Sequence, residues 1–193
     1  GGDRARIFDT RRLRGDKEEP EGFSHSSIMR NRLGLSLDIS KADGADMVRE
    51  LAGLSDILIE NSTPQTFPKF GLNYEKIKEI NPTIVMISLS GAGQTGPWAH
   101  FPTYGPSLCA LYGVSSLLGY PNEEWPREGA SEADPIAGTF GFVAAMSALL
   151  NRQKTGQGRH IDLSQGEVIL SIAAEAILEY TMNGKIQTPR GND

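Results

Sequence analysis

The chain has 193 residues, enough for one domain with a hydrophobic core. Its formal net charge of -5 disfavours nucleic acid as a partner. A single cysteine excludes a disulfide framework and a thiolate metal cluster, and the three histidines lack the spacing of zinc ligands. The apolar run over residues 140–150 is too short to span a membrane and is interrupted by Ser147. We expect a cytoplasmic protein without a metal site or a membrane partner.

Residues 1–30 are rich in charge and poor in apolar side chains, which is typical of a solvated loop or an arm. The chain starts at Gly1 without a methionine and ends at Asp193 soon after a predicted helix, so we interpret it as a piece of a longer protein. From Leu33 to Ile39, apolar residues alternate with small or polar ones. This period predicts a half-buried strand.

Residues 42–90 predict alternating helices and strands. Helices are expected over residues 42–52, 65–70 and 74–80, and apolar strands over residues 56–60 and 83–90. This order is typical of an α/β fold with a parallel, Rossmann-like sheet covered by helices. Because ligands of such sheets bind beyond the carboxyl ends of the strands, residues 61–63 and 90–96 are predicted to lie at the binding edge.

The segment Gly91–Gly96 matches the G-x-G-x-x-G pattern of dinucleotide-binding proteins and follows a strand. That pattern should open a helix, whereas Pro97, Trp98 and Pro102 continue an irregular loop. We therefore interpret the segment as a glycine-rich turn that permits close backbone approach.

The second half of the chain is predicted to be mainly helical. Helices are expected over residues 104–118, from Asp134 to Gly156, and over residues 169–182, with a loop over 119–133 and a short strand over 160–163. The long helix that begins at Asp134 carries apolar residues at helical spacing with small residues between them, so we expect it to be buried on most sides.

Two interpretations of Asp134 are open at this point. In one, the carboxylate caps the helix, with Pro135 at the first helical position, and stabilises it by about 1 kcal/mol. In the other, the carboxylate is a nucleophile held at a helix N-terminus. The residue and its neighbours alone do not separate them.

Four separated pieces of the chain resemble, in order, the family III CoA-transferases, also called the CaiB/BaiF family, with formyl-CoA, carnitine and benzylsuccinate CoA-transferases among them. The pieces are residues 56–61 with 69–75, residues 81–82 with 88–97, the Asp134-x-x-x-Gly138 helix start, and residues 152–158 with 162–164. Residues 2–6 also resemble the family's G-D-x-x-R motif. The resemblance runs nearly end to end.

The resemblance implies that the chain is part of the large domain of the family's fold. Residues 1–30 would form a charged arm, residues 31–100 the α/β part that binds CoA, and residues 101–193 the helical part with the catalytic aspartate. It further implies that the family's first strand and its C-terminal half lie outside these residues. A complete protein would be an interlocked homodimer, or alternatively a heteromer.

In activity, the resemblance implies transfer of CoA from an acyl-CoA to a carboxylic acid, with CoA esters as substrates and no tightly bound cofactor. Asp134 would form a mixed anhydride and then an aspartyl-CoA thioester. The residues that match positions along CoA or in the active centre are Leu37, Ser40, Asn61, Ser62, Thr63, Lys69 and Tyr104. Lys69 stands where the family often has arginine, so it would meet a phosphate as a point charge; a solvated helix residue is the alternative.

Two alternatives to a transferase stay open. An α-methylacyl-CoA racemase on the same fold needs a pair of bases, typically His-Asp, where this chain has Tyr104-Gly105. His100 lies nearby but out of register. The other alternative is an idle CoA-binding subunit, against which the presence of Asp134 argues. Because the family often has an acidic residue where Gly105 stands, a second carboxylate assisting Asp134 is not expected.

Overall fold

The computed structural model describes residues 29–121 and 132–191. The chain divides into two compact units, one ending at Leu37 and the other beginning at Asp38. Most of the predicted arm over residues 1–30 and of the predicted loop over 119–133 lies outside the described residues. In the first unit, residues 29–37 contain no helix or strand, and Leu33 is 99% exposed. The strand predicted over residues 33–39 is therefore wrong, since no described strand pairs with it.

The second unit is built on a parallel sheet, as the sequence predicts. Its three strands are β1 (Ile57–Glu60), β2 (Val85–Ser88) and β3 (Arg159–Asp162), in the order β1-β2-β3. Ile57 pairs with Val85, and Val85 pairs with Arg159. Every residue of β2 is buried, because this strand has a neighbour on each side and helices over both faces.

The helices are α1 (Ala42–Gly53), α2 (Thr66–Lys69), α3 (Tyr74–Ile80), α4 (Gly105–Leu111), α5 (Ala133–Thr155), α6 (Gln165–Leu170) and α7 (Ala174–Asn183), with a 3₁₀ turn over Val114–Leu117. The helix predicted over residues 104–118 is broken at Gly113, whose φ of 84° no helix accepts. The helix predicted over 169–182 is broken at residues 171–173. There the backbone switches to i→i−3 bonds, and the Ser171 hydroxyl donates to the Val168 carbonyl.

Helices cover the sheet on both faces. On one face, α1 and α3 pack with Ala52 and Ile77 against Ile84, which precedes β2. On the other face, Val85 and Ile87 of β2 pack in one cluster with residues of α5. This is the layered α/β architecture that the sequence predicts.

Small residues form the contact between α5 and the sheet. The buried positions of α5 are Ala133, Ala137, Gly141, Ala145 and Ala148. A Cβ at Gly141 would lie 3.3 Å from the Leu89 side chain, so helix and strand approach closely. The larger apolar residues face outward, and Phe142 is 64% and Val143 59% exposed. The prediction of a helix buried on most sides is therefore wrong.

Helix α5 is also longer than the apolar run read from the sequence. It has 23 residues and is long and apolar enough to cross a membrane by length and composition alone. Its inner stripe of small residues packs on the sheet, however, which is typical of the core helix of an α/β fold.

Arg152 holds the C-terminal end of α5 at the amino edge of the sheet. Its guanidinium donates to the Asp56 carboxylate at 2.7 Å and to the Thr83 carbonyl at 3.2 Å, and these two residues precede β1 and β2. From Arg152 back to Ala133 the helix runs roughly 28 Å. The N-terminus of α5 therefore lies at the opposite, carboxyl edge of the sheet.

We predict that Arg152→Ala lowers the free energy of unfolding by about 1–2 kcal/mol, because it removes bonds from a charged donor to two segments of the sheet. Arg152→Lys should retain part of this stability. The measurement is chemical denaturation of the protein. Lys154→Ala, in the same helical turn and exposed, is the control. Equal stability of Arg152→Ala and Lys154→Ala would show that the contacts of Arg152 contribute nothing to the free energy of unfolding.

Candidate active site

The candidate site lies at the carboxyl edge of the sheet. Residues 61–63 follow β1, residues 89–96 follow β2, and Leu163 and Ser164 follow β3. The β2–β3 pairing continues past the strands, since the Gln165 amide donates to the Ser90 carbonyl at 3.1 Å and the Gly166 amide to the Gly91 carbonyl at 2.9 Å. In parallel α/β sheets this edge is where ligands bind.

Asp134 is held at this edge by its neighbour in α5. Ala133 is fully buried in a cluster with Leu108 of α4 and Ile169 of α6. Asp134 itself is the second residue of the helix and is exposed. Gly138 lies one turn further on, and a Cβ there would meet nothing within 4 Å. The side of the helix that follows Asp134 is therefore unobstructed.

The helix cap differs from the one expected. Glu132, not Asp134, occupies the N-cap position, and it makes no side-chain capping bond. Pro135 lies in the first turn, where its missing N–H would have had no partner in the helix. The first intrahelical bond runs from the Ile136 amide to the Glu132 carbonyl at 3.1 Å. The capping interpretation of Asp134 is therefore wrong.

Partial burial raises the pKa of the Asp134 carboxyl above its usual value. The cause is the loss of hydration, which disfavours the charged form. A carboxylate with a raised pKa is less well solvated and a better nucleophile than an ordinary surface aspartate.

The glycine-rich loop, residues 91–96, turns sharply and opens no helix. Gly93 and Gly96 have φ angles of 86° and 95°, which favour glycine. The Thr103 side chain covers Gly91 so closely that a Cβ there would lie 1.8 Å from Thr103 Oγ1. These contacts confirm the interpretation as a glycine-rich turn rather than a dinucleotide-binding motif.

The turn after β1 is held by its own side chains. The buried Glu60 carboxylate accepts from the Ser62 amide at 2.9 Å and from the Ser62 hydroxyl. The hydroxyls of Thr63 and Thr66 lie 2.8 Å apart, and Asn61 is exposed. The Ser62 hydroxyl is thus engaged by the protein, while Asn61 is accessible to a ligand.

A separate cavity of about 220 Å³ brings together two of the predicted CoA-binding residues, Ser40 and Lys69. Lys41 and Arg49 also line it, and Asp46 is the acid among its lining residues. Arg49 donates to the Phe70 carbonyl at 2.8 Å and pairs with Asp46. The cavity is therefore lined by more basic than acidic side chains.

Ser40 shapes one rim of this cavity. Its hydroxyl and its amide donate to the Asp38 carboxylate at 2.6 and 3.0 Å. These bonds, the hydroxyl first, hold the pKa of Asp38 below its usual value. Lys69 on the other side is exposed and lies 5.6 Å from the centre of the Phe70 ring.

The other predicted residues are not among those that line the cavity. Leu37 is half-buried and belongs to the first compact unit. Tyr104 is 66% exposed and caps α4, where its amide donates to the Ser107 hydroxyl at 2.8 Å. The structure thus brings Ser40 and Lys69 together in one cavity, whereas Asn61, Ser62 and Thr63 follow β1 and Tyr104 precedes α4.

Several contacts that shape the edge were not predicted from the sequence. Asp162 accepts from the Gln94 amide, and the Gln165 side chain donates to the Leu89 carbonyl at 2.7 Å. His100 lies 2.6 Å from the Gln65 side chain, which joins the loop after β2 to the segment after β1. The position of Asp162 at the end of a predicted strand was the available signal, since strand ends meet at this edge.

These features define a class: a parallel α/β protein with a partly desolvated carboxylate at the carboxyl edge of its sheet and a cavity lined by basic side chains. The model of CoA-transferase family III matches residues 1–193, and the chain belongs to that family.

Two relatives from Chloroflexus aurantiacus illustrate the similarity. Succinyl-CoA–D-citramalate CoA-transferase is 33% identical over 165 residues, which cover 86% of this chain and 41% of the relative. The beta subunit of succinyl-CoA–L-malate CoA-transferase is 32% identical over 193 residues, which cover 100% of this chain and 46% of the relative. The chain thus spans less than half the length of these relatives.

A solved structure shares the fold. The crystal structure of a CaiB/BaiF family protein from Brucella suis superposes with a TM-score of 0.77 at 33% identity, covering 82% of this chain and 42% of that one. This match confirms the α/β fold and its assignment to the family.

We predict that the pKa of Asp134 in the folded protein lies above 3.8. Because the folded state then holds the proton more tightly than the unfolded chain, protonated Asp134 favours folding, and this contribution is lost as the pH rises through the folded-state pKa. Carbon-13 NMR titration of the aspartate carboxyls measures this pKa, and the spectrum of Asp134→Asn assigns the signal. A midpoint at or below 3.8 would contradict the prediction.

Proposed function

We propose that the protein containing this chain transfers CoA from an acyl-CoA donor to a carboxylic acid acceptor, with Asp134 as the nucleophile. The observation that carries the proposal is an exposed, partly desolvated carboxylate in the first turn of α5, at the carboxyl edge of the sheet. The names of the two relatives support it, since both are CoA-transferases named for succinyl-CoA and an organic acid.

The reaction starts with attack of an Asp134 oxygen on the thioester carbonyl. The C–S bond breaks, CoA leaves as the thiolate, and a mixed anhydride remains on Asp134. The thiolate then attacks the aspartyl carbonyl, which releases the donor acid and gives an aspartyl-CoA thioester. This covalent route divides one difficult exchange into easier steps.

The second half repeats this chemistry with the acceptor. Its carboxylate attacks the aspartyl thioester and displaces the thiolate, which gives a new mixed anhydride. The thiolate attacks the acceptor's carbonyl, so that the product acyl-CoA forms and Asp134 is regenerated. We infer that amides at the N-terminus of α5 that have no partner within the helix stabilise the negative charge that develops at each carbonyl.

The cavity beside α1 and α2 supports binding of the phosphates of CoA. Lys41, Arg49 and Lys69 line it, and Lys69 is exposed and free to meet a phosphate. Lysine binds phosphate as a point charge without a fixed fork geometry. The acyl-thioester end would then react at the carboxyl edge of the sheet.

Two alternatives have less support. A racemase needs two bases, and Tyr104 and Gly105 provide no imidazole or carboxylate where the family's racemases have them. His100 is engaged with Gln65. An idle CoA-binding subunit would not need a carboxylate with a raised pKa at this edge.

We further propose an assembly and a location for the complete protein. One relative is a beta subunit, so a heteromer is the alternative to the interlocked homodimer that we favour. We propose a cytoplasmic protein, because the chain has a single cysteine and the reaction uses CoA esters.

We predict that incubation of the complete protein with succinyl-CoA forms a covalent adduct at Asp134. Trapping with hydroxylamine converts it to a hydroxamate that peptide mass spectrometry locates. Asp134→Asn should form no adduct, because an amide is not a nucleophile of this kind, and CoA transfer should fall by at least about 10³-fold, as for other removed catalytic nucleophiles.

The control is Glu175→Gln, which removes an exposed acid in the first turn of α7 and should leave adduct formation intact. An adduct on another residue, or normal transfer by Asp134→Asn, would refute the assignment. Exchange of solvent deuterium at the α-carbon without an adduct would favour the racemase.

We predict that Lys69→Ala raises the dissociation constant for CoA about 10-fold, the equivalent of about 1.4 kcal/mol, because one cationic contact to phosphate is lost. Isothermal titration calorimetry at low and high salt measures the effect, which should shrink as salt screens the contact. Lys76→Ala is the control, since Lys76 is exposed on α3 and pairs with Glu79. Equal dissociation constants for the two variants would place the phosphates elsewhere.

A further inference from the structure

The glycine-rich loop is joined to β3 by one carboxylate. The backbone amide of Gln94 donates to Asp162 Oδ1 and to Oδ2, each at 3.0 Å. Asp162 is the last residue of β3, and its side chain thus reaches across to the loop that follows the neighbouring strand. Within the described residues, no other acceptor bonds the Gln94 amide.

The same loop is fixed at its start by neutral groups. The Gln165 side chain donates to the Leu89 carbonyl at 2.7 Å, and the Gly166 amide donates to the Gly91 carbonyl at 2.9 Å. Beyond Gly91, the described backbone bonds of the loop comprise one at its last residue, where the Gly96 carbonyl accepts from the Ala99 amide at 3.3 Å, and the chain turns through Gly93 in a left-handed conformation. The Asp162 carboxylate therefore joins the middle of the loop to β3.

This loop belongs to the region where the chemistry is proposed. It follows β2 at the carboxyl edge. Leu89, two residues before the loop, packs against Gly141 of α5, two turns along from Asp134. Thr103 covers Gly91 and precedes Tyr104, a predicted residue of the active centre. A shift of the loop would therefore change the walls of the space beyond β2.

We propose that Asp162 is a positioning residue, which acts through the Gln94 amide to hold the glycine-rich loop in the conformation that receives the thioester end of the substrate. The inference rests on the proposed CoA transfer at Asp134. The carboxylate does not touch the reacting atoms. Loss of its two bonds frees the loop at Gly93, whose backbone has many accessible conformations.

The position of the contact between Asp162 and Gln94 determines which step of the reaction it affects. The basic cavity is lined by residues of α1, α2 and their neighbouring turns, and neither Asp162 nor the loop lines it. Binding of the CoA phosphates should thus be unchanged in Asp162→Ala, whereas aspartyl adduct formation should slow by roughly 10- to 100-fold, because small misplacements of reacting groups are costly.

The experiment compares Asp162→Ala and Asp162→Asn with Glu175→Ala and Glu175→Gln, all in the complete protein. Glu175 is an exposed acid in the first turn of α7, so its variants control for lost charge. For each variant, three quantities are measured: the dissociation constant of CoA, the rate of adduct formation with succinyl-CoA, and the hydrogen exchange rate of the Gln94 amide.

Asp162→Ala should exchange the Gln94 amide at least 10-fold faster and form adduct more slowly, with unchanged CoA binding. Asp162→Asn retains one acceptor oxygen and should lie between Asp162→Ala and the unmodified protein in both rates. A merely structural role would weaken CoA binding and adduct formation together, and that result would overturn the inference.

Unchanged exchange of the Gln94 amide in both Asp162 variants would also overturn it, whatever the adduct assay gives. Normal adduct formation by Asp162→Ala, despite faster exchange, would show that the loop does not position the substrate and would refute the proposal. Failure of the unmodified protein to form an adduct would instead reject the proposed function, and with it the catalytic part of this inference.

Discussion

The close packing of α5 on β2 is the constraint on which the rest of the structure depends. Alanine and glycine at the buried positions let the helix approach the sheet, and Gly141 meets Leu89 where a larger side chain would clash. Arg152 fixes the other end of the helix to the segments that precede β1 and β2. With both ends fixed, the position of Asp134 relative to the ends of the strands is determined.

That constraint also explains the environment of Asp134. Ala133 is buried, so the residue after it emerges where the protein surface begins, partly desolvated and open on one side. A fully buried aspartate would be protonated and out of reach, while a fully solvated one would be a weak nucleophile. Gly138 has open space around it, so the side of the helix beside the carboxylate is accessible.

Much of the fold could be predicted from local pattern. Helix α1 and helix α3 follow from apolar periodicity, and the three strands from compact apolar or alternating runs bounded by turns. The prediction of a strand over residues 33–39 failed because a strand needs a partner as well as an alternating pattern. Leu33 and Leu35 alternate with small residues, yet no strand of the described chain pairs with this segment. Prediction also failed for the inner face of α5, because periodicity shows which residues share a face but not which face the sheet will take.

The candidate site also combines features that the sequence predicts with features that depend on tertiary contacts. Asp134 could be identified because a family motif surrounds it, whereas the contacts of Asp162 and Arg49 join segments far apart in sequence and were not predicted. No local pattern encodes a carboxylate that accepts an amide 68 residues away. Such contacts depend on the register of the strands, which follows from the packing of the whole sheet.

The two parts of the proposed site are held by different forces. Asp134 is fixed by close-packed small residues, and dense packing allows few alternative positions. The glycine-rich loop opposite is fixed by hydrogen bonds, each of which contributes only about 1 kcal/mol net, or somewhat more for a charged acceptor. Substitutions near the loop can therefore change how a substrate is placed without moving the nucleophile. For this reason, substitutions in the loop and its supports should change the shape of this edge more readily than substitutions at the start of α5.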